Sequence, residues 1–171
     1  MGQARREAET KELIKLISAR SDFAKAKASC DHLLTLESDP GSSLYNALAT
    51  ATVVCYVRPF TDNQPHGSVK TKPYDTLFDD EGARFHQKAI DARHSVFAHS
   101  ELNTRRAYLL SENGTFRGTG FEAHHYVPRF FEGLQNNLEL MIEHATSRIT
   151  TLVGELYDGQ QLPDRLEIVL Q

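Results

Sequence analysis

The chain has 171 residues, 40% hydrophobic and 25% charged, with 19 Lys and Arg against 23 Asp and Glu for a formal net charge of −4. That composition fits one soluble domain, residues 1–171, that buries its own core, and it excludes global disorder, collagen-like repeats and a disulfide-stapled scaffold. No apolar run approaches the ~18–20 residues that a membrane span needs, and net acidity argues against a constitutive nucleic-acid coat while leaving room for a local basic site.

The opening residues, MGQARREAETKEL, are charged and lack the apolar core of a signal peptide; Arg6 stands where a myristoylation motif wants Ser or Thr. Residues 5–19 carry Leu13, Ile14, Leu16 and Ile17 on one side and read as a first helix. Ser21 or Asp22 is placed to cap a second, running to about Leu36 with Phe23, Ala26, Cys30 and Leu33 at helical spacing; nothing between the two forces a break. Ser38-Asp39-Pro40-Gly41 is a stop. Ser42 or Ser43 then opens a helix to about Arg58, whose apolar positions Leu44, Leu48, Ala51 and Cys55 step by four, three and four before Pro59 ends it.

Thr61 to Tyr74, with Pro65, Gly67 and Pro73, reads as a long loop. A helix from about Asp80 to His99 carries Phe85, Ala89, Ala92 and Val96 on one stripe and His86, Ile90, Arg93 and Phe97 on the next. Residues 105–121 break that rhythm around Asn113-Gly114, a strong hairpin signal. The last helix spans about Pro128 to Tyr157, with Phe131, Leu134, Leu138, Met141, Ala145, Ile149, Leu152 and Leu156 in three–four spacing. The expected fold is mainly α: an antiparallel helical bundle of four to five helices with a β-hairpin inserted before the last helix. Its expected core holds Leu48, Ala51, Cys55, Ala89, Val96, Leu134, Leu138 and Met141. Cys30 and Cys55 form no CxxC pair and read as reduced core thiols, which makes the cytoplasm the expected compartment.

The chemistry concentrates in Arg93-His94-Ser95-Val96-Phe97-Ala98-His99. Arg93 offers a planar cation for phosphate oxygens, and His99 a group that moves a proton near neutral pH. Residues 82–106 hold five cations, Arg84, Lys88, Arg93, Arg105 and Arg106, against Asp91 and Glu101. Six helical positions set Arg93 and His99 about 120° apart around the axis and about 9 Å along it, so one helix does not focus both on one phosphate. A distorted last turn or a second copy of the chain is needed. A plainer reading stays open: Arg93 pairing with Asp91, Glu101 or a helix C-terminus, and His99 capping the last carbonyls of its helix. Ser95, one turn before His99, either holds its ring or bonds its own backbone. His94 faces substrate or water. Arg58 points into the cleft or to a surface carboxylate.

RHSVFAH is similar to the motif of HEPN (higher eukaryotes and prokaryotes nucleotide-binding) domains: Arg, a polar residue, then a His after four to six positions with Ala before it. Tyr56 to Thr61, YVRPFT, resembles the end of the second main helix in HEPN proteins of the abortive-infection type. His94 departs from the more usual Asn or Asp. The resemblance implies a metal-independent endoribonuclease of toxin or phage-defence type. It would act without a cofactor as a homodimer with a composite cleft, with Arg93 and His99 catalytic and His94, Ser95 and Arg58 contacting substrate. RNA or a nucleotide is the implied partner, with an antitoxin protein as a second, and no membrane is involved. The alternative is a non-catalytic HEPN-like module that binds nucleotide, RNA or protein; a third reading is a plain helical dimerisation module. His124-His125 are adjacent on a helix start and cannot share a metal, and the cation on the stripe of His86 repels one. No HExxH, GxxxxGK[ST] or GxGxxG occurs, so zincin, P-loop and Rossmann chemistry lack support.

Overall fold

Between Gln3 and Thr35 the chain has neither Gly nor Pro, and in the computed structural model it forms one 33-residue helix, α1. Residues 3–36, 42–61, 67–69, 72–93, 105–123 and 128–158 are described. Ser21 and Asp22 therefore do not open a second helix. Asp22 is instead buried inside α1, where Arg58 answers its charge. Leu13, Leu16, Ala19, Phe23, Ala26, Cys30 and Leu33 form the buried stripe of α1, stepping by three and four. The Ser38–Gly41 stop lies outside the described residues.

The last helix, α5 (Pro128–Tyr157), runs antiparallel along α1. The direction is fixed by Asp31 accepting from Gln135 at 2.6 Å, Lys27 meeting Glu139 at 3.4 Å and Arg148 reaching Glu12 at 2.8 Å. Every apolar position expected to face inward on α5 is buried except Ile149, which is half-buried against a second cluster. That cluster joins Leu13 and Leu16 to Leu152 and Leu156 and is separate from the main core.

Helix α2 (Ser43–Val57) starts where Ser42 accepts a hydrogen bond from the Tyr45 amide, and a 3-10 turn, Arg58–Phe60, with Pro59 at its start, ends it. Its buried face is not the one expected. Tyr45, Ala49, Thr52, Val53, Tyr56 and Val57 point inward, Leu48, Ala51 and Cys55 are half-buried, and Leu44 is 56% exposed. Turning the helix by about one position puts two tyrosine rings in the core in place of Leu44 and Cys55, which hides more apolar area. Thr52 tolerates burial because its hydroxyl donates to the Leu48 carbonyl at 2.8 Å.

Thr61 to Tyr74 is not loop throughout. Lys72–Asp75 forms one helical turn, α3, and Tyr74 is buried against Phe23 and Phe60. Pro73 suits a first helical turn, where its missing N–H costs nothing. Helix α4 (Asp80–Ala92) packs on α2 and α5 through Ala89 and Ala92. The expected core residues Ala89, Leu134, Leu138 and Met141 are all buried, and Val96 lies outside the described residues. Locally, β1 (Arg105–Glu112) pairs antiparallel with β2 (Thr115–Ala123), with positive φ at Asn113 (52°) and Gly114 (75°) between them. The described residues are thus mainly helical and form a bundle, and no helix among them is long and apolar enough to cross a membrane.

Both cysteines are free thiols in unequal settings. Burial pushes the Cys30 thiol up to about 12, and its S–H donates to the Phe131 carbonyl at 3.2 Å. Burial also raises Cys55, which is only half-buried. At pH 8 iodoacetamide should therefore alkylate Cys55 on the order of 100-fold faster than Cys30, with both reacting freely in denaturant. Peptide mass spectrometry over a labelling time course reads the ratio; equal rates would contradict this packing.

Candidate functional site

Arg93 closes α4. Its backbone N–H is shared between the carbonyls of Ala89 and Ile90, with helical φ and ψ of −61° and −41°. The side chain is half-buried, and its Nε is buried with no hydrogen-bond partner among the described residues. An unmet guanidinium N–H away from water costs about 1–3 kcal/mol or more, so this is a donor that wants an anion. Of the acids in the plainer reading, Asp91 accepts from Gln87 Nε2 at 2.9 Å, and Glu101 lies outside the described residues. Arg84 and Lys88 add cations on exposed positions of α4, Lys88 with its Nζ 5.6 Å from the centre of the Phe130 ring.

What holds α4 at this angle is a buried polar relay that the sequence did not announce. His86 is 5% exposed, ringed by Tyr56, Phe60 and Phe78. Asn137 Nδ2 on α5 donates to the Tyr56 hydroxyl at 3.1 Å and to the Gly82 carbonyl at 2.8 Å. The Tyr56 hydroxyl lies 3.1 Å from His86 Nδ1. The two groups share one hydrogen bond, whose proton either the phenol or Nδ1 can supply. Burial raises the Tyr56 phenol, which keeps it protonated. Helices α2, α4 and α5 are thereby tied two turns before Arg93. Far from being a candidate metal ligand, His86 is a core residue. Its only sequence signal was its place on the stripe beside Ile90.

Arg58 pairs with a carboxylate, a buried one rather than a surface one. Its Nη1 donates to Asp22 Oδ1 at 3.1 Å, and the Asp22 side chain is only 7% exposed, so the guanidinium neutralises a buried charge at the junction of α1 and α2. His94, Ser95 and His99, like Glu101 and His124-His125, lie outside the described residues, so of the motif only Arg93 has a described environment. Among the described residues no group of three or more His, Cys, Asp or Glu side chains is arranged to hold a metal ion. The chain matches no protein-family model, and no curated protein or solved structure matches it significantly.

Proposed function

We propose that the chain is an HEPN-like endoribonuclease of toxin or phage-defence type, a helical bundle with a β-hairpin between its motif helix and its last helix. The reading is supported chiefly by the buried Nε of Arg93, which lacks an acceptor among the described residues and follows a helix carrying two more cations. A phosphodiester supplies that acceptor. In the proposed reaction His99 takes the proton from the 2′-hydroxyl, whose oxygen attacks the adjacent phosphorus. Arg93 holds the non-bridging oxygens as their charge grows, and the 5′-oxygen leaves with a proton. The nucleophile comes from the substrate, so the step needs no metal-bound water. His94 and Ser95 contact the RNA in this proposal, whereas Arg58, already paired, serves the scaffold. Two copies pool Arg93 and His99 in one cleft, and a neutralising antitoxin is a fitting partner.

The test is an RNA oligonucleotide carrying one 2′-deoxy residue. The protein should cut every susceptible site except the one preceded by the deoxy sugar, leave 2′,3′-cyclic phosphate and 5′-hydroxyl ends, and keep its rate in chelator. Cleavage at the deoxy site would end the proposal. Tight RNA binding with no cleavage would transfer the case to the non-catalytic binding module.

A further inference from the structure

A second opening lies at the other end of α4. Eleven positions separate Gly82 from Arg93, about 16 Å along the helix, so this is not the phosphate site. The cavity, about 260 Å³, lies between the N-terminal turns of α4 and the middle of α5. Phe78 and Phe85 wall it on one side, and Leu140, which is 41% exposed, forms its outer lip. A β-carbon on Gly133 would overlap the Phe85 ring, so glycine there lets that ring lie flat against the α5 backbone.

The floor carries an open acceptor. Asn137 is 2% exposed and lines the cavity. Its Nδ2 is used twice, toward Tyr56 and Gly82, while its Oδ1 accepts from no group among the described residues. Glycine at position 82 keeps that oxygen reachable, since a β-carbon there would sit 2.7 Å from it. The oxygen therefore opens into the cavity, within reach of a donor on a bound molecule. Asp79, whose carboxylate caps α4, and Glu81, which pairs with Arg129, make the rim unfavourable to anions. The volume falls below the roughly 300–1,000 Å³ usual for drug-sized ligands, which suits one or two fused rings.

We propose that this cavity binds a small, planar aromatic molecule, neutral or cationic, that carries an N–H donor. The ring lies between Phe85 and Leu140, and the N–H donates to Asn137 Oδ1. Indole, tryptamine, indole-3-acetate and benzofuran are the probes. The chain has no tryptophan, so indole emission reports binding without background. Indole and tryptamine should give saturable changes. Benzofuran, which lacks the donor, should compete at least about tenfold less well, and indole-3-acetate should be weaker than indole. Leu140→Glu changes an exposed residue and should weaken indole at least about tenfold with an unchanged melting temperature; Gly82→Ala should do the same by covering the oxygen. If Gly82→Ala does not fold, Leu140→Glu decides. No saturable indole signal, equal competition by benzofuran, or undiminished binding by folded Leu140→Glu protein would each overturn the proposal. None of these outcomes depends on RNA cleavage.

Discussion

Arg93→Ala and His99→Ala should each lower RNA cleavage by a factor of about 10²–10⁴ while leaving the helical circular dichroism unchanged. The size follows from the roles assigned. Losing His99 removes the group that carries the proton at the moment of attack. Losing Arg93 removes the cation that answers growing charge on the phosphate, an interaction stronger in the transition state than before it. The fold should survive because Arg93 Nε has no partner to lose among the described residues. Removing it also relieves a buried, unmet donor, so Arg93→Ala should melt no lower than the parent. A shared cleft adds a sharper expectation. Mixing the two inactive proteins should restore part of the activity, since a heterodimer assembles one site from the Arg93 of one chain and the His99 of the other. Full activity of His99→Ala would refute its assigned role. Failure of the mixture to recover, with both mutants inactive and dimeric, would mean that each chain uses its own pair.

Phe131→Ala should cost about 3–5 kcal/mol of unfolding free energy, a large share of the ~5–15 kcal/mol typical of a domain. The ring has no exposed surface. It meets Phe130 edge-on at 5.1 Å and Tyr45 at 6.1 Å. Its backbone carbonyl accepts from Cys30, so the residue joins α1, α2 and α5 at one point. Truncation leaves a cavity among helices whose backbones are already tied by other residues and cannot close in. Urea denaturation should show a lower midpoint with the slope unchanged. A loss under about 1 kcal/mol would mean that this part of the core repacks freely.

Helices α1 and α5 could be read from sequence because their apolar residues recur in threes and fours with charged residues on the other side. Helix α2 could be located but not oriented. Ser43 to Val57 contains no charged residue, so nothing marks its solvent side, and the choice between Leu44 and Tyr45 is made by what α1 and α5 offer. The long loop hid a helical turn for a similar reason: the burial of Tyr74 depends on Phe23 and Phe60, which meet it only in the folded chain. The site divides the same way. Arg93 stood out through a short motif, whereas the relay of Tyr56, His86 and Asn137 joins polar atoms 30 and 81 positions apart, and no spacing rule reaches that far.

The antiparallel partnership of α1 and α5 has a consequence for how the chain comes to exist. Among the described helices α1 is made first and α5 last, yet each is the other's main partner, and Glu12 waits for Arg148, 136 positions later. Closing that loop costs roughly 1 kcal/mol more than closing the 36 positions between Asp22 and Arg58. During synthesis the apolar stripe of α1 therefore lacks its main cover until α5 has left the ribosome. For a chain proposed to cut RNA, the scaffold that aims Arg93 is completed only once α5, made after α1 to α4, has emerged as well.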